Sequence, residues 1–248
     1  MFKIEFENAR EFKSAIEALS NLIDEGSFSI KKEGLGLHAL DPSQIAMVVF
    51  TMPSSAFADY QIESSQNVGL NLENLNKILN RGSTEKLSIY DEDNRVVVQF
   101  SDGKSKKVFK VPVIDVSGGI EREPKVEHDA EVLINSGKFK DAIKDISLVS
   151  SHITFEARGK TLKISASGDN AEAMIEYTEG EDGAIKKMDV KSVAKVTFPV
   201  QYLDDMVKGA DNSEDVELSL KTNAPLKLKY KLGNATFVYY LAPRIDLE

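Results

Sequence analysis

The chain has 248 residues, 42% of them apolar and 29% charged, the balance of a soluble globular protein with room for one large core or two ordinary ones. It contains no cysteine, which excludes disulfides and thiolate metal centres, and no apolar run near the roughly 18 residues of a membrane span. A net charge of −9 argues against a protein that coats nucleic acid with its whole surface, but leaves open one locally less acidic face.

The opening Met1-Phe2-Lys3-Ile4-Glu5-Phe6 alternates like a strand and lacks the apolar centre of a signal peptide, so an intracellular location is expected. Phe12, Ala15, Ile16, Leu19 and Ile23 then recur at helical spacing, with Asn8 as the expected N-cap and Asp24-Glu25-Gly26 as the stop. Strands are expected over 27–31, 35–40, 45–51 and 56–62, with Asp41-Pro42-Ser43 turning the chain between the second and third. The run over 45–51 is apolar on both faces, so both faces need a cover. Residues 71–81 form a second short amphipathic helix, with Leu72, Leu75 and Leu79 inward and Gly82 as terminator. Strands over 87–90 and 96–101 bracket the turn Asp91-Glu92-Asp93-Asn94, and a further strand over 107–113 closes the first half.

The second half repeats this plan. Phe139, Ala142, Ile143 and Ile146 follow Asn135 as Phe12, Ala15, Ile16 and Leu19 follow Asn8. Gly159-Lys160-Thr161-Leu162 aligns with Gly34-Leu35-Gly36-Leu37, and Val200, Leu203 and Val207 match Leu72, Leu75 and Leu79. The expected organisation is α+β: two similar domains of antiparallel sheet with short helices on one face, over 1–117 and 131–248. A Gly/Pro/charge-rich connector over 118–130 joins them.

No motif in the chain is complete for a known catalytic or cofactor chemistry. Gly159-Lys160-Thr161 lacks the first glycine of a phosphate loop, because position 154 is Thr154, and strand-like runs flank it. Gly34-Leu35-Gly36 lacks the third glycine of a dinucleotide site, and Asp91-Glu92-Asp93 lacks the glycine and distal glutamate of a calcium loop. His38, His128 and His152 have no ligand spacing, and there is no nucleophile elbow. No catalytic residue, metal or cofactor is therefore assigned. The enzymatic alternative left standing is a hydrolase with dispersed acids.

Three segments resemble the sliding clamps of the proliferating cell nuclear antigen (PCNA) type: residues 34–52, residues 68–79, and Tyr239-Tyr240-Leu241-Ala242-Pro243-Arg244-Ile245. Weaker similarity covers nearly the whole length, and the absence of cysteine and tryptophan suits an archaeal member. The resemblance implies a DNA-clamp fold and a closed ring of three two-domain subunits around duplex DNA, acting as a processivity factor. The compartment would be cytoplasm and nucleoid in an archaeon, or the nucleus in a eukaryote. The expected DNA-facing residues are Arg10, Lys13, Lys77, Arg81, Lys140, Lys144 and Lys208. Over the four expected helices eight basic residues face seven acidic ones, which leaves the helices the least acidic part of the chain.

Ring closure needs a heterologous contact. The basic strand with Lys107, Val108 and Lys110 and the acidic one with Glu172, Ile175, Glu176 and Tyr177 are expected to supply it. The resemblance further implies a groove for partner peptides lined by Leu40, Ile45, Met47, Pro225, Tyr240, Leu241, Ala242 and Pro243, with Ile120 as lid. Ala46, Val48 and Phe50 would pack inward, leaving the face of Ile45 and Met47 open. In the connector Ser117-Gly118-Gly119 departs from the family's bulkier pattern. Partners implied are the replicative polymerase, a clamp loader, a flap endonuclease and a DNA ligase, besides further copies of the chain in a homotrimer. A protein-binding scaffold of this fold that never encircles DNA is the alternative within the same architecture.

Overall fold

The computed structural model describes residues 1–82, 84–116, 122–181 and 183–245. The first half runs β1 (Phe2–Phe6), α1 (Arg10–Ser20), β2 (Glu25–Lys31), β3 (Gly34–Leu40), β4 (Ala46–Pro53), β5 (Asp59–Ile62), β6 (Gln66–Asn71), α2 (Leu72–Leu79), β7 (Lys86–Glu92), β8 (Arg95–Ser101) and β9 (Lys106–Pro112). The second runs β10 (Ala130–Asn135), α3 (Ser136–Ser147), β11 (His152–Arg158), β12 (Thr161–Ser167), β13 (Glu172–Thr178), β14 (Ile185–Val190), β15 (Ala194–Pro199), α4 (Val200–Val207), β16 (Asp215–Leu220), β17 (Leu226–Leu232) and β18 (Ala235–Leu241). Element for element the two orders agree. So do the strand neighbours: β5-β1-β7-β8-β9 is matched by β14-β10-β16-β17-β18, and β4-β3-β2-β6 by β13-β12-β11-β15. Pairing is antiparallel, as in β1 with β7, β2 with β3 and their counterparts β10 with β16 and β11 with β12.

The chain clusters into two compact units: Met1–Pro42 with Val48–Arg122 and Lys231–Phe237, and Ser43–Met47 with Glu123–Tyr230 and Val238–Glu248. In the first, α1 buries Phe12, Ala15, Ile16 and Leu19 and packs beside α2, which buries Leu72, Leu75 and Leu79. Phe12 meets Phe6 at 5.0 Å between ring centres. In the second, α3 buries Phe139, Ala142, Ile143 and Ile146 beside α4, and Phe139 meets Phe155, which meets Phe198. A stripe at helical spacing thus does the same task twice.

Asn71 and Asn135 cap α2 and α3, each side-chain oxygen accepting from the backbone N–H three residues on, at 2.9 and 3.0 Å. In α1 the expected cap shifts. Ala9 already has helical dihedrals and holds the cap position, while Asn8 Oδ1 accepts from Arg10 N at 3.1 Å. Ile23 lies beyond the helix but is buried. The expected strand over 56–62 is shortened at its start, because Ser54–Ala56 turns as a 3-10 helix. Between β7 and β8 the turn narrows to Asp93 and Asn94, both with positive φ, as a two-residue hairpin requires.

The phase of the repeat differs from the sequence alignment near Gly159. Phe28 pairs with Leu37 and Phe155 with Ile164, so Leu35 corresponds to Leu162 and Gly34 to Thr161, two residues from the expected match. The two glycines serve different ends. Gly159 sits in the β11–β12 turn at φ 58°, whereas a Cβ on Gly34 would lie 2.1 Å from the Met52 carbonyl oxygen.

Both halves also cover an edge in the same way. Ile114 N donates to Gly69 O of β6 at 3.0 Å, and Arg244 N to Thr197 O of β15 at 2.8 Å. No helix of the described residues is long and apolar enough to cross a membrane.

Candidate functional site

The stretch after the Asp41-Pro42-Ser43 turn differs from expectation. Met47 and Val49 are 4% and 5% exposed, as deeply buried as Ala46, Val48 and Phe50 on the other face. Both faces of β4 are therefore covered, and the apolar side chain that the stretch leaves out is Ile45, 37% exposed. Its carbonyl accepts from Ala242 N at 2.8 Å, which fixes the turn against the end of β18. Ala242 and Pro243 are half-buried, as is Pro225 ahead of β17, and Ile245 projects at 62%. Tyr240 and Leu241 are buried, so Leu241 is core and not groove lining. Leu40, half-buried, ends β3, and Ile120 lies outside the described residues.

Three residues that sequence reasoning missed contact the expected groove residues: Glu123, Lys227 and His128. Tyr240 donates its hydroxyl to Glu123 Oε2 at 2.6 Å. Burial, and then the Glu123 carboxylate, hold the phenol well above the ordinary tyrosine range, so it stays a donor at any physiological pH. Lys227 Nζ sits 5.9 Å over the Tyr240 ring. His128 Nε2 lies 3.3 Å from Pro225 O, and burial lowers its pKa, favouring the neutral ring. The 123–128 segment is thus tied at two points, Glu123 to Tyr240 of β18 and His128 to the Pro225 carbonyl ahead of β17. Glu123 and Tyr240 are 117 positions apart, and no local pattern links them.

The basic residues of the helices divide into three groups. Among the described residues Arg10, Lys13 and Arg81 make no ion pair, and neither does Lys138, which sequence reasoning left out of the DNA-facing set. Lys77 pairs with Glu73 at 2.5 Å, Lys144 with Asp141 at 4.0 Å and Lys208 with Asp205 at 3.8 Å, all on the surface, where such pairs hold loosely. Lys140 is different. Its ammonium donates to the carbonyls of Ala210 and Lys208 and to Asn212 Oδ1, finishing the C-terminal end of α4, and burial lowers its pKa. It is held to the fold and not presented outward. Glu11 is held likewise, accepting from Asn234 N and Nδ2 at 2.6 and 3.2 Å.

β9 and β13 are each the terminal strand of their row. β9 is largely exposed and β13 partly so, with Val108 at 45% and Met174 at 60% projecting from them. Charge on β9 is partly committed within the chain: Lys107 bonds Glu85 and the Arg81 carbonyl, and Lys110 pairs with Glu92, which raises the Lys110 pKa. On β13, Glu176 is exposed, Ile175 is half-buried, and Glu172 accepts from Ser167 Oγ at 3.3 Å. Tyr177 donates to the Lys138 carbonyl at 3.3 Å.

No group of three or more potential metal ligands occurs among the described residues. Gly159-Lys160 is a hairpin turn between β11 and β12, not a phosphate loop opening a helix.

Comparison with known proteins agrees over the full length. Residues 1–117 match the family model described as "Proliferating cell nuclear antigen, N-terminal domain", and residues 122–245 the corresponding C-terminal domain. Curated relatives named DNA polymerase sliding clamp include those of Thermococcus gammatolerans and Thermofilum pendens. Each is 34% identical over 99% of this chain, and covered over 99% and 100% of its own length. Among solved structures, PCNA from Thermococcus kodakaraensis superposes with a TM-score of 0.92 at 28% identity, over 98% of this chain and 100% of its own. A PCNA2–PCNA3 complex from Sulfolobus tokodaii gives 0.87 at 26%, over 98% and 99%.

Proposed function

The chain belongs to the proliferating cell nuclear antigen family, and on that premise we propose that it acts as a DNA polymerase sliding clamp. Three copies close head to tail through β9 of one and β13 of the next. The outward faces of α1 to α4, with Arg10, Lys13, Lys77 and Lys144 on them and Arg81 and Lys208 just past the ends of α2 and α4, line the hole. Duplex DNA passes through without base contacts, and a tethered polymerase stays at its template because a closed ring cannot leave a strand it surrounds. The protein supplies topology and docking and no catalysis, so a separate loader provides the ATPase. In an archaeal cell its place is the nucleoid.

The single observation that carries this reading is the doubled unit, in which each half matches a clamp domain from end to end. The two open edge strands support it, since bare edges of this length otherwise invite aggregation. Partners, among them polymerase, loader, flap endonuclease and ligase, would insert short apolar motifs beside Ile45, Pro225, Tyr240, Ala242 and Pro243. The test is retention on DNA after loading with a clamp loader and ATP. The protein should co-elute with nicked circular DNA and be released when the circle is cut. Equal retention on linear DNA would favour a scaffold that does not encircle it.

The similar Sulfolobus tokodaii structure contains two different clamp chains, which gives a mixed ring a specific basis. The solution mass of the pure chain separates the cases: a trimer means a homomeric ring.

A further inference from the structure

The two halves are built alike, yet their hairpin tips are treated differently. The β17–β18 tip is seated. Asn234 donates twice to the Glu11 carboxylate of α1, and a Cβ on Gly233 would come 2.6 Å from Glu11 Oε1. Just beyond the tip, Phe237 packs on Phe50 of β4 at 5.3 Å. The counterpart tip, residues 102–105 between β8 and β9, is exposed throughout, and a Cβ on Gly103 would meet nothing within 4 Å.

Two features fix the correspondence. The Phe100–Phe109 ring pair (6.2 Å) stands where Tyr230–Tyr239 (6.0 Å) stands, and Gly103 at φ 85° stands where Gly233 at φ 57° stands. Lys104 therefore occupies the place of Asn234. Because α1 corresponds to α3 and β4 to β13, the matching seat is the start of α3 beside β13. That seat is formed in the chain, since Tyr177 of β13 donates to the Lys138 carbonyl in the first turn of α3.

We propose that the 102–105 tip of one copy seats on the first two turns of α3 in a second copy, with Lys104 against Asp141 and Asp102 against Lys138. The polarity of the seated tip is kept, a donor on the tip and a carboxylate on the helix. Lys138 replaces Glu11, so the acceptor moves three residues along, about 4.5 Å at 1.5 Å per residue. The longer stem of Lys104 spans that step where the short Asn234 side chain would not. Asp102 is braced for its role: Lys104 N, Ser105 N and Ser105 Oγ all donate to it, and these bonds lower its pKa. Lys138 and Asp141 are both exposed, and neither Lys104 nor Lys138 has an ion pair among the described residues.

This inference rests on closure through β9 and β13, because the tip opens directly into β9. Sedimentation velocity over a dilution series at low salt tests both. Lys104→Glu and Asp141→Lys should each raise the concentration of half-dissociation about tenfold, equivalent to roughly 1.4 kcal/mol. The double variant should return to near the wild type. A trimeric wild type whose single variants dissociate no more readily would remove this seat and leave the ring. A wild type that is monomeric at all concentrations would remove both.

Cysteine pairing gives a second reading independent of affinity. The chain has no native cysteine, so Lys104→Cys with Lys138→Cys should yield covalent trimers under mild oxidation. Monomer alone on a non-reducing gel would overturn the placement.

Discussion

Replacing Gly69 with alanine tests how the segment after β9 is held. Gly69 pairs with Ser27 of β2 on one side and takes the Ile114 N–H on the other, at 3.0 Å. An added Cβ would lie 2.2 Å from Ile114 O and 2.9 Å from Val116 Cγ2, against an ordinary contact of 3.4 Å or more. The segment must withdraw by more than 1 Å, which carries the Ile114 amide beyond hydrogen-bonding range. Losing that bond costs about 1 kcal/mol, and the remaining crowding against β6 adds about 1 more. For a chain of this size about 2 kcal/mol lowers Tm by roughly 4–8 °C. Calorimetry reads the total, and amide hydrogen exchange reads the place: protection should vanish at Ile114 and persist across β2 and β6. An unshifted Tm with Ile114 still protected would show that the close approach is not what holds this segment.

Two further outcomes follow from the same structure. Ile45→Asp should leave stability within about 0.5 kcal/mol, because the side chain is exposed, while lowering affinity for a docking peptide at least tenfold by calorimetric titration. Loss of folding or of assembly together with binding would instead make Ile45 core. Glu5 links pH to the β1 sheet: Lys3 and then Lys86 bond its two oxygens at 2.8 and 2.5 Å and hold its pKa at about 2. A folded pKa below the unfolded value of about 4.3 gives stability that is present above that value and lost as pH falls toward 2. Glu5→Gln should flatten the stability profile between pH 4.5 and 2, and a slope equal to the wild type's would count against the pairing.

The helices were legible because burial writes a period into the sequence. Phe12, Ala15, Ile16 and Leu19, and Phe139, Ala142, Ile143 and Ile146, read as stripes before any fold is known, and all of them are buried. The repeat was legible from those stripes, and its phase near Gly159 was not. A glycine in the β11–β12 turn and a glycine making room for Met52 look identical in a string, although Gly159 answers to φ alone and Gly34 to the Met52 backbone as well as to its φ of 141°. Met47 and Leu241 illustrate a second limit. An apolar residue on the outer face of a strand reads the same whether a partner or the protein itself covers it, and here the protein does. Long-range polar ties leave no local trace at all: Glu11 and Asn234 are 223 positions apart.

Those ties also change how the helix charges should be counted. Composition treats Lys140 and Glu11 as one positive and one negative surface charge, but both are bonded into the fold. What is left to meet a phosphate is Arg10, Lys13 and Arg81 outright, and Lys77, Lys144 and Lys208 only after a neighbouring carboxylate lets go. On the clamp reading, a handful of independent cations per copy gives a field that attracts duplex DNA without gripping any part of it. Each phosphate neutralised contributes about 0.9 to the slope of log affinity against log salt. Arg10→Ala should therefore lower that slope by up to about 1 for each phosphate the side chain meets, while Lys140→Ala should leave it unchanged and destabilise the end of α4 instead. The opposite pattern would mean that Lys140 leaves its carbonyls to meet DNA, and that its bonds to Ala210 and Asn212 are a resting position and not a cap.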